Sequence, residues 1–151
     1  MVDRGVNRFV CDLGGRRVSC KLGYRESGTG SSVWDGAVVL ARFLETHPSL
    51  VRGKRVLELG AGTGLASAAA ARLGADVVAT DVSDLSLELL RRAVADGGAF
   101  DVQRLDFTDA DAVAALGDFD VVVAADTLYE EAIARATARV VRASRGACIV
   151  V

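Results

Sequence analysis

Hydrophobic residues of this chain follow a period of two near its beginning and helical spacing soon afterwards. In residues 6–25, apolar side chains alternate loosely with polar ones around Gly14-Gly15. This pattern predicts a β-hairpin with a primed turn, because glycines readily adopt the positive φ angles of such a turn. The glycine- and serine-rich residues 28–32 then predict a flexible connector.

The first predicted helix covers residues 34–45. Its apolar positions recur at three- and four-residue spacing, as on one face of a helix. We expect Ser31 or Ser32 to act as its N-cap and His47-Pro48 to end it. His47 is the only histidine, and beside a helix-ending proline it is interpreted as a surface or capping residue.

From residue 55 onward, short apolar runs alternate with helical stretches. The predicted strands cover the run before Gly60 and residues 76–81, 101–107, 119–125 and 147–151, and the predicted helices cover residues 65–73, the stretch from Ser83 or Asp84 to Gly97-Gly98, 109–116 and 130–143. Alternating strands and helices predict an α/β fold with a doubly wound, mainly parallel sheet. The strand at 119–125 is almost entirely valine and alanine, which is typical of an interior strand covered on both faces.

Length and composition are those of one globular domain. The chain has 151 residues, of which 51% are hydrophobic and 25% charged, with a formal net charge of -2. We expect a single domain over residues 1–151, with the hairpin and connector in 1–30 and the core in 31–151. The charge balance gives no reason to expect binding to nucleic acid.

The cysteines and the N-terminus bear on the compartment. Cys11, Cys20 and Cys148 lie far apart and form no C-x-x-C pair, so we expect reduced thiols and no disulfide or metal site. Neither a leader pattern nor a run of 18 apolar residues is present, so no signal peptide or membrane span is expected. A cytoplasmic location is therefore predicted, with the nucleus as an alternative.

An apolar run that breaks into three glycines stands at the centre of this pattern. Residues 55–65 read R-V-L-E-L-G-A-G-T-G-L, so that Ala61 separates Gly60 from Gly62 and Gly64 follows. A buried strand that enters a helix through a glycine turn brings backbone N–H groups close to a ligand, because glycine has no Cβ. The segment predicts a loop for a nucleotide-type cofactor; the alternative is a turn that merely joins strand to helix.

The spacing of the glycines distinguishes between cofactors. The dinucleotide pattern G-x-G-x-x-G would place its third glycine at Leu65, which is bulky, whereas this loop reads G-x-G-x-G. Glu58 precedes the first glycine by two residues and suits a ligand with cationic sulfonium and ammonium groups better than a pyrophosphate. The loop therefore favours S-adenosylmethionine over NAD, and it lacks the Gly-Lys-Ser/Thr of a P-loop.

A further acidic residue ends the next predicted strand. Asp81 lies 21 positions after Gly60, where a carboxylate accepts hydrogen bonds from the ribose hydroxyls of an adenosine cofactor. Ligands of parallel sheets lie at the carboxyl ends of the strands, and Glu58, Phe107 and Asp126 also fall at such ends. These positions predict one binding site at that edge of the sheet.

At these residues the chain resembles the seven-strand, Rossmann-like, S-adenosylmethionine-dependent methyltransferases, and within them the methyltransferase-like protein-lysine methyltransferases called methyltransferase family 16. The resemblance covers about residues 30–151. It rests on Val33-Trp34, on V-L-E-L-G-A-G-T-G-L at 56–65, on A-T-D at 79–81 and on F-D-V-V-V-A-A-D-T-L-Y at 119–129. The glycine loop indicates only the superfamily, whereas D-x-x-Y joined to the early tryptophan is much narrower.

The resemblance implies a role for each candidate site residue. The cofactor-binding residues would be Trp34 at the methionine end, Glu58 and Gly60 along the amino-acid part with Ala61, Gly62 and Gly64 in the same loop, Asp81 at the ribose, Asp106 and Phe107 around the adenine, and Ala125 on the pocket floor. Asp126 and Tyr129 would face the methyl acceptor as the catalytic residues. The simpler alternatives are core positions for Trp34 and Phe107, a surface position for Tyr129, and an N-cap role for Asp126.

The implied activity is methyl transfer from S-adenosylmethionine to a protein side chain, with lysine as the preferred acceptor. Histidine, an N-terminal amine or a small molecule are alternative acceptors. Two other hypotheses are a cofactor-binding module without turnover and an NAD-dependent oxidoreductase, which Leu65 disfavours.

The last predicted strand differs from the family pattern. The sheet of the family continues to strands six and seven, which we expect to be absent here, either by truncation or because a partner supplies that edge. No charged residue interrupts 147–151, and an unpaired hydrophobic edge strand invites pairing with another chain. We therefore expect a homodimer through this strand, or aggregation at high concentration.

Overall fold

The computed structural model describes residues 32–151 and, for the backbone alone, residues 7–13 and 16–22. The predicted Gly14-Gly15 turn, Ser31 and most of the predicted connector lie outside these described residues. Within them, β1 (Asn7–Leu13) pairs antiparallel with β2 (Arg16–Leu22). The pairing of the predicted hairpin is therefore confirmed.

A five-stranded parallel sheet forms the centre of the described chain. Its strands are β3 (Arg55–Leu59), β4 (Asp76–Asp81), β5 (Asp101–Arg104), β6 (Val121–Ala124) and β7 (Ala147–Val150). They lie in the order β5-β4-β3-β6-β7, and each neighbouring pair is parallel. The chain builds outward from β3 to β5 and then returns to the other side of β3, so the predicted doubly wound sheet is confirmed and its switch point lies between β3 and β6.

Helices cover both faces of this sheet. They are α1 (Asp35–Thr46), α2 (Leu65–Arg72), α3 (Asp84–Ala95), α4 (Ala110–Ala114) and α5 (Glu131–Ala143). Successive strand residues point to opposite faces. Val56 therefore packs in one cluster with Leu40 and Leu90, and Leu57 packs in a second cluster with Val140. All four residues of β6 are buried, which confirms the predicted interior strand. No helix in the described part of the chain is long and apolar enough to cross a membrane.

The first helix begins differently from the prediction. Trp34 occupies the N-cap position in extended backbone and makes no side-chain capping bond, so the expectation that Ser32 caps this helix is wrong. The predicted end is confirmed, since the His47 N–H donates to the carbonyls of Phe43 and Leu44. The His47 ring stacks on Phe43 with centroids 4.4 Å apart, as befits a capping residue.

Three strands are shorter than predicted: β7 ends one residue early, β6 begins two residues late, and polar side chains or backbone strain end β5 and β6 early. β5 stops at Arg104, and Asp106 then forms a turn in which its carboxylate accepts from the Thr108 N–H at 2.9 Å. β6 stops at Ala124, shortly before Asp126 adopts a φ of 55°. A left-handed residue cannot continue a strand.

Candidate active site

A cavity of about 730 Å³ opens at the carboxyl ends of the central strands. It lies beside the switch point, where ligands of doubly wound sheets bind. Its lining includes nine of the twelve predicted site residues: Trp34, Gly60, Gly62, Asp81, Asp106, Phe107, Ala125, Asp126 and Tyr129. The structure therefore brings these nine together, whereas Glu58, Ala61 and Gly64 are not among the lining residues.

The glycine loop needs glycine for two different reasons. Gly60 has a φ of 63° and lines the cavity, so its missing Cβ leaves room for a ligand. Gly64 has a φ of 81°, and a Cβ there would lie 2.7 Å from Leu90 of α3. Ala61 is buried, and its N–H donates to the carbonyl of Thr80 at 2.8 Å. Ala61 and Gly64 therefore hold the loop against β4 and α3, behind the cavity wall.

The Asp81 carboxylate links the glycine loop to the residues that follow β4. Its Oδ2 accepts from the Gly62 N–H at 2.9 Å, and its Oδ1 accepts from the Ser83 N–H at 2.9 Å. A carboxylate has about four acceptor sites. The two that remain can accept hydrogen bonds from a ligand, because Asp81 lines the cavity.

Glu58 lies on the other side of the loop and does not line the cavity, so its contact with a cofactor stays a prediction. Period-two alternation turns its side chain to the face that α2 covers, where the Ser67 hydroxyl donates to Glu58 Oε2. Burial raises the pKa of Glu58 to about 7, against the opposing hydrogen bonds from Ser67. The residue acts within the core beneath the loop.

The segment after β5 supplies a buried aromatic ring and an exposed carboxylate. The Thr108 N–H and hydroxyl both donate to Asp106, and these bonds lower the pKa of that carboxyl. The carbonyl of Phe107 accepts from the Arg139 guanidinium at 3.2 Å, and that of Thr108 accepts at 2.5 Å. Arg139 of α5 therefore fixes this segment, with Phe107 buried against the second core cluster.

Asp126 is held at the cavity mouth in a strained conformation. Asp126 is the only non-glycine residue with a left-handed φ among the described residues. Its Cγ lies 2.7 Å from the position that a Cβ on Gly36 would take, so its carboxylate packs at the N-terminus of α1, where a negative charge is favoured. The N-cap of α5 is Glu130, which rules out the simpler explanation of Asp126 as that cap.

Several lining residues were missed at the sequence level. They are Val82, Ser83, Leu105, Thr108, Thr127, Leu128, Ile133 and Val151. Most directly follow or precede a predicted site residue, so the rule that strand ends form the site could have indicated them. Ile133 lies in the first turn of α5 and Val151 follows β7, and their positions depend on how these elements pack.

The chemical character of the cavity favours binding and alignment. Its lining is largely apolar, and its ionisable groups are Asp81, Asp106, Asp126 and the Tyr129 hydroxyl. No group of three or more histidine, cysteine or acidic residues that could hold a metal occurs within residues 32–151. Such a site can hold a ligand with hydroxyl and cationic groups.

Comparisons with known proteins identify the family. A sequence model of the family described as "Lysine methyltransferase" matches residues 20–144. The Danio rerio "Protein N-lysine methyltransferase METTL21A" is 37% identical over 125 residues, which cover 79% of this chain and 57% of that protein. The Mus musculus "EEF1A lysine methyltransferase 3" is 37% identical over 108 residues, which cover 69% of this chain and 46% of that protein.

A solved structure shares the fold. The T. thermophilus 16S rRNA N2 G1207 methyltransferase (RsmC), in complex with AdoMet and guanosine, matches with a TM-score of 0.60 and 26% identity over 80% of this chain and 32% of its own. The present chain spans about half the length of the curated relatives it matches. Because the family model matches most of its residues, this chain belongs to the lysine methyltransferase family.

Proposed function

We propose that this chain is the S-adenosylmethionine-binding core of a methyltransferase that modifies protein lysine. The observation that carries the proposal is Asp81, whose carboxylate faces the cavity while it accepts from a glycine-loop amide. A carboxylate with spare acceptor sites beside an open glycine loop suits an adenosine ligand.

The residues of the cavity fit this cofactor. A volume of about 730 Å³ lies within the usual range for small-molecule sites. Gly60 leaves the approach to the loop open, Asp81 can accept from two ribose hydroxyls, and Phe107 offers an apolar surface beside Asp106 for the adenine. The charged residues of the described lining are all aspartates, and their negative charge suits a cationic ligand.

Methyl transfer needs alignment more than acid–base chemistry. S-adenosylmethionine, when bound, supplies a methyl group on a sulfonium. The acceptor ammonium first releases one proton to solvent; the sulfur–carbon bond then breaks as the neutral amine forms the nitrogen–carbon bond, which leaves a methylated ammonium and a neutral thioether. The Asp126 carboxylate would attract the incoming ammonium, and the Tyr129 hydroxyl would orient the neutral amine. Alignment of this kind contributes on the order of 7–11 kcal/mol in favourable cases.

The rim of the cavity suits a macromolecular substrate. Trp34, Leu128 and Tyr129 expose 51%, 58% and 70% of their surfaces around the mouth. Exposed apolar groups next to one another are a feature of interaction sites, and aromatic faces attract an ammonium or its methylated forms. The printed names of the relatives, which specify protein lysine, support this choice of acceptor.

Calorimetry with S-adenosylhomocysteine tests the proposal. We expect the intact chain to bind it and Asp81→Asn to weaken binding by at least about tenfold, since a charged acceptor of two hydrogen bonds is lost. Asp109→Asn is the matched control, because Asp109 also accepts two backbone N–H groups but caps α4 away from the cavity. An unmutated chain that does not bind the ligand would refute the proposal.

Transfer of labelled methyl groups to cell extract tests the activity itself. Mass spectrometry of the labelled protein would identify lysine or one of the alternative acceptors. Binding without transfer would favour the hypothesis of a cofactor-binding module. The cytoplasmic location expected from the sequence stays a prediction.

We also propose association through β7. The N–H groups of Ala147 and Val151 donate to β6, so the alternation of the ladder turns those of Cys148 and Val150 to the open side. Within the described chain, β7 pairs only with β6. An open edge without charged residues supports pairing with a second copy.

A further inference from the structure

Gly36 is a buried glycine of α1 whose backbone gives no reason for a glycine. It lies in the first turn of the helix, and its φ is not in the left-handed range. Alanine is the better residue in a helix, because glycine loses more conformational freedom on folding. The reason for this glycine must therefore lie in what surrounds it.

A carboxyl group occupies the space that a side chain on Gly36 would need. A Cβ there would lie 2.7 Å from Cγ and 2.9 Å from Oδ1 of Asp126. Carbon atoms in favourable contact are about 3.5–4.0 Å apart. A methyl group on Gly36 would therefore displace the Asp126 carboxyl group by about 1 Å.

Two other described glycines also have close neighbours without a positive φ, and they show how Gly36 differs. A Cβ on Gly98 would lie 2.9 Å from the ring of Phe100. A Cβ on Gly146 would lie 2.6 Å from the Phe119 carbonyl oxygen. Neither neighbour lines the cavity, whereas the neighbour of Gly36 is the side chain of a lining residue.

The backbone of Asp126 has little freedom to compensate for such a displacement. Its φ of 55° is strained for a residue other than glycine. Its N–H donates to the Val151 carbonyl at 2.9 Å, and its side chain is short. Because Asp126 is exposed and lines the cavity, a shift of its carboxyl group would change where the negative charge stands relative to a bound molecule.

We propose that Gly36 is a positioning residue for methyl transfer, because its lack of a side chain fixes the place from which the Asp126 carboxylate attracts the acceptor ammonium. Gly36 does not line the cavity, so it acts through Asp126. The inference rests on the proposed function and extends the site to α1. A misplacement of about 1 Å can lower a reaction rate by up to about 100-fold.

Transfer of labelled methyl groups to the protein of a cell extract, with calorimetry of S-adenosylhomocysteine beside it, tests the role in the reaction. Gly36→Ala should lower the transfer rate at least about tenfold and change the affinity for S-adenosylhomocysteine by less than about threefold. Asp126→Asn keeps the shape but removes the charge, and it should also slow transfer. The double variant should be no slower than Asp126→Asn alone, since no charge is left to misplace, whereas independent effects would multiply.

Thermal unfolding detects the contact itself without relying on activity. Asp126→Gly empties the space beside Gly36, so adding Gly36→Ala to it should raise the thermal midpoint, as expected of alanine in a helix. In the unmutated background Gly36→Ala should raise the midpoint less, or lower it. Gly98→Ala is the matched control: it creates a contact of similar closeness away from the cavity, and it should lower the midpoint but change the transfer rate by less than about twofold.

Four results would overturn the inference. Gly36→Ala could transfer methyl groups at the unmutated rate, or Asp126→Asn could do so, and either result would remove the role in transfer. Rate effects that multiply, or equal midpoint changes in both backgrounds, would show that Gly36 acts independently of Asp126. Absence of transfer by the unmutated chain would instead refute the proposed function, and this inference with it.

Discussion

The buried Glu58 makes stability depend on pH in an unusual direction. Its pKa rises from 4.5 to about 7 because burial penalises the carboxylate, and the nearby Asp81 charge adds to this effect. A folded pKa above the unfolded one means that the folded state binds more protons between these values. The free energy of unfolding should therefore be highest below about pH 4.5 and fall as the pH rises to about 7, as far as this group is concerned.

The size of the effect follows from the shift. A difference of about 2.5 pH units at about 1.4 kcal/mol each gives about 3 kcal/mol. Glutamine does not titrate, so Glu58→Gln lacks this loss of stability. The unfolding free energy of the variant minus that of the unmutated chain should therefore rise by about that amount from pH 4 to pH 8. Urea unfolding followed by circular dichroism at several pH values measures it.

A second glutamate provides the control. Glu88 forms an exposed pair with Arg92 on α3, and exposed pairs of this kind contribute only a few tenths of a kcal/mol. Glu88→Gln should therefore give a nearly constant difference over the same pH range. A constant difference for Glu58→Gln as well would refute the claim that burial raises the pKa of Glu58.

Three further predictions concern the loop, the edge strand and the segment after β5. Gly64→Ala should lower the free energy of unfolding by about 1–3 kcal/mol in urea titrations, and by more than Gly53→Ala, which shares a positive φ but has open space around it; equal losses would contradict the predicted clash with α3. Val150→Pro removes an N–H on the open side of β7 and should yield monomers in light scattering. Val151→Pro should instead destabilise the fold, because the Val151 N–H donates to β6. A monomeric unmutated chain would refute the edge contact. Arg139→Met removes two bonds to the segment after β5 and should weaken adenosine-ligand binding about tenfold in calorimetry, and unchanged affinity would show that this segment needs no such support.

Hydrophobic period and turn residues predicted most of the fold. β4 matches its prediction at both ends because charged Asp76 and Asp81 bracket an apolar run. β5 was predicted too long, since Leu105 and Phe107 are apolar and alternate with Asp106, whereas the Asp106 side chain bonds to Thr108 and forms a turn. The hydrophobic pattern of a segment does not show whether a side chain will accept a backbone N–H bond in place of a neighbouring strand.

The site was predicted to the extent that strand ends define it. Asp81 and Asp126 reach one cavity because parallel strands share a carboxyl edge. Glu58 was assigned to the ligand because it precedes the glycines, although its place on the strand turns it toward Ser67 of α2. Thr127 was missed although it directly follows Asp126, and the rule that strand ends form the site could have indicated it.

The two backbone amides that donate to Asp81 make ligand binding measurable in the wall of the cavity. The Gly62 and Ser83 N–H groups both donate to the Asp81 carboxylate. A ligand that also hydrogen-bonds this carboxylate would restrict its motion. Local opening that frees these amides would then also have to release the ligand, so their exchange with deuterated water slows in proportion to occupancy. Two backbone protons on separate loops would thus report the same event, and they would do so without any label on the protein.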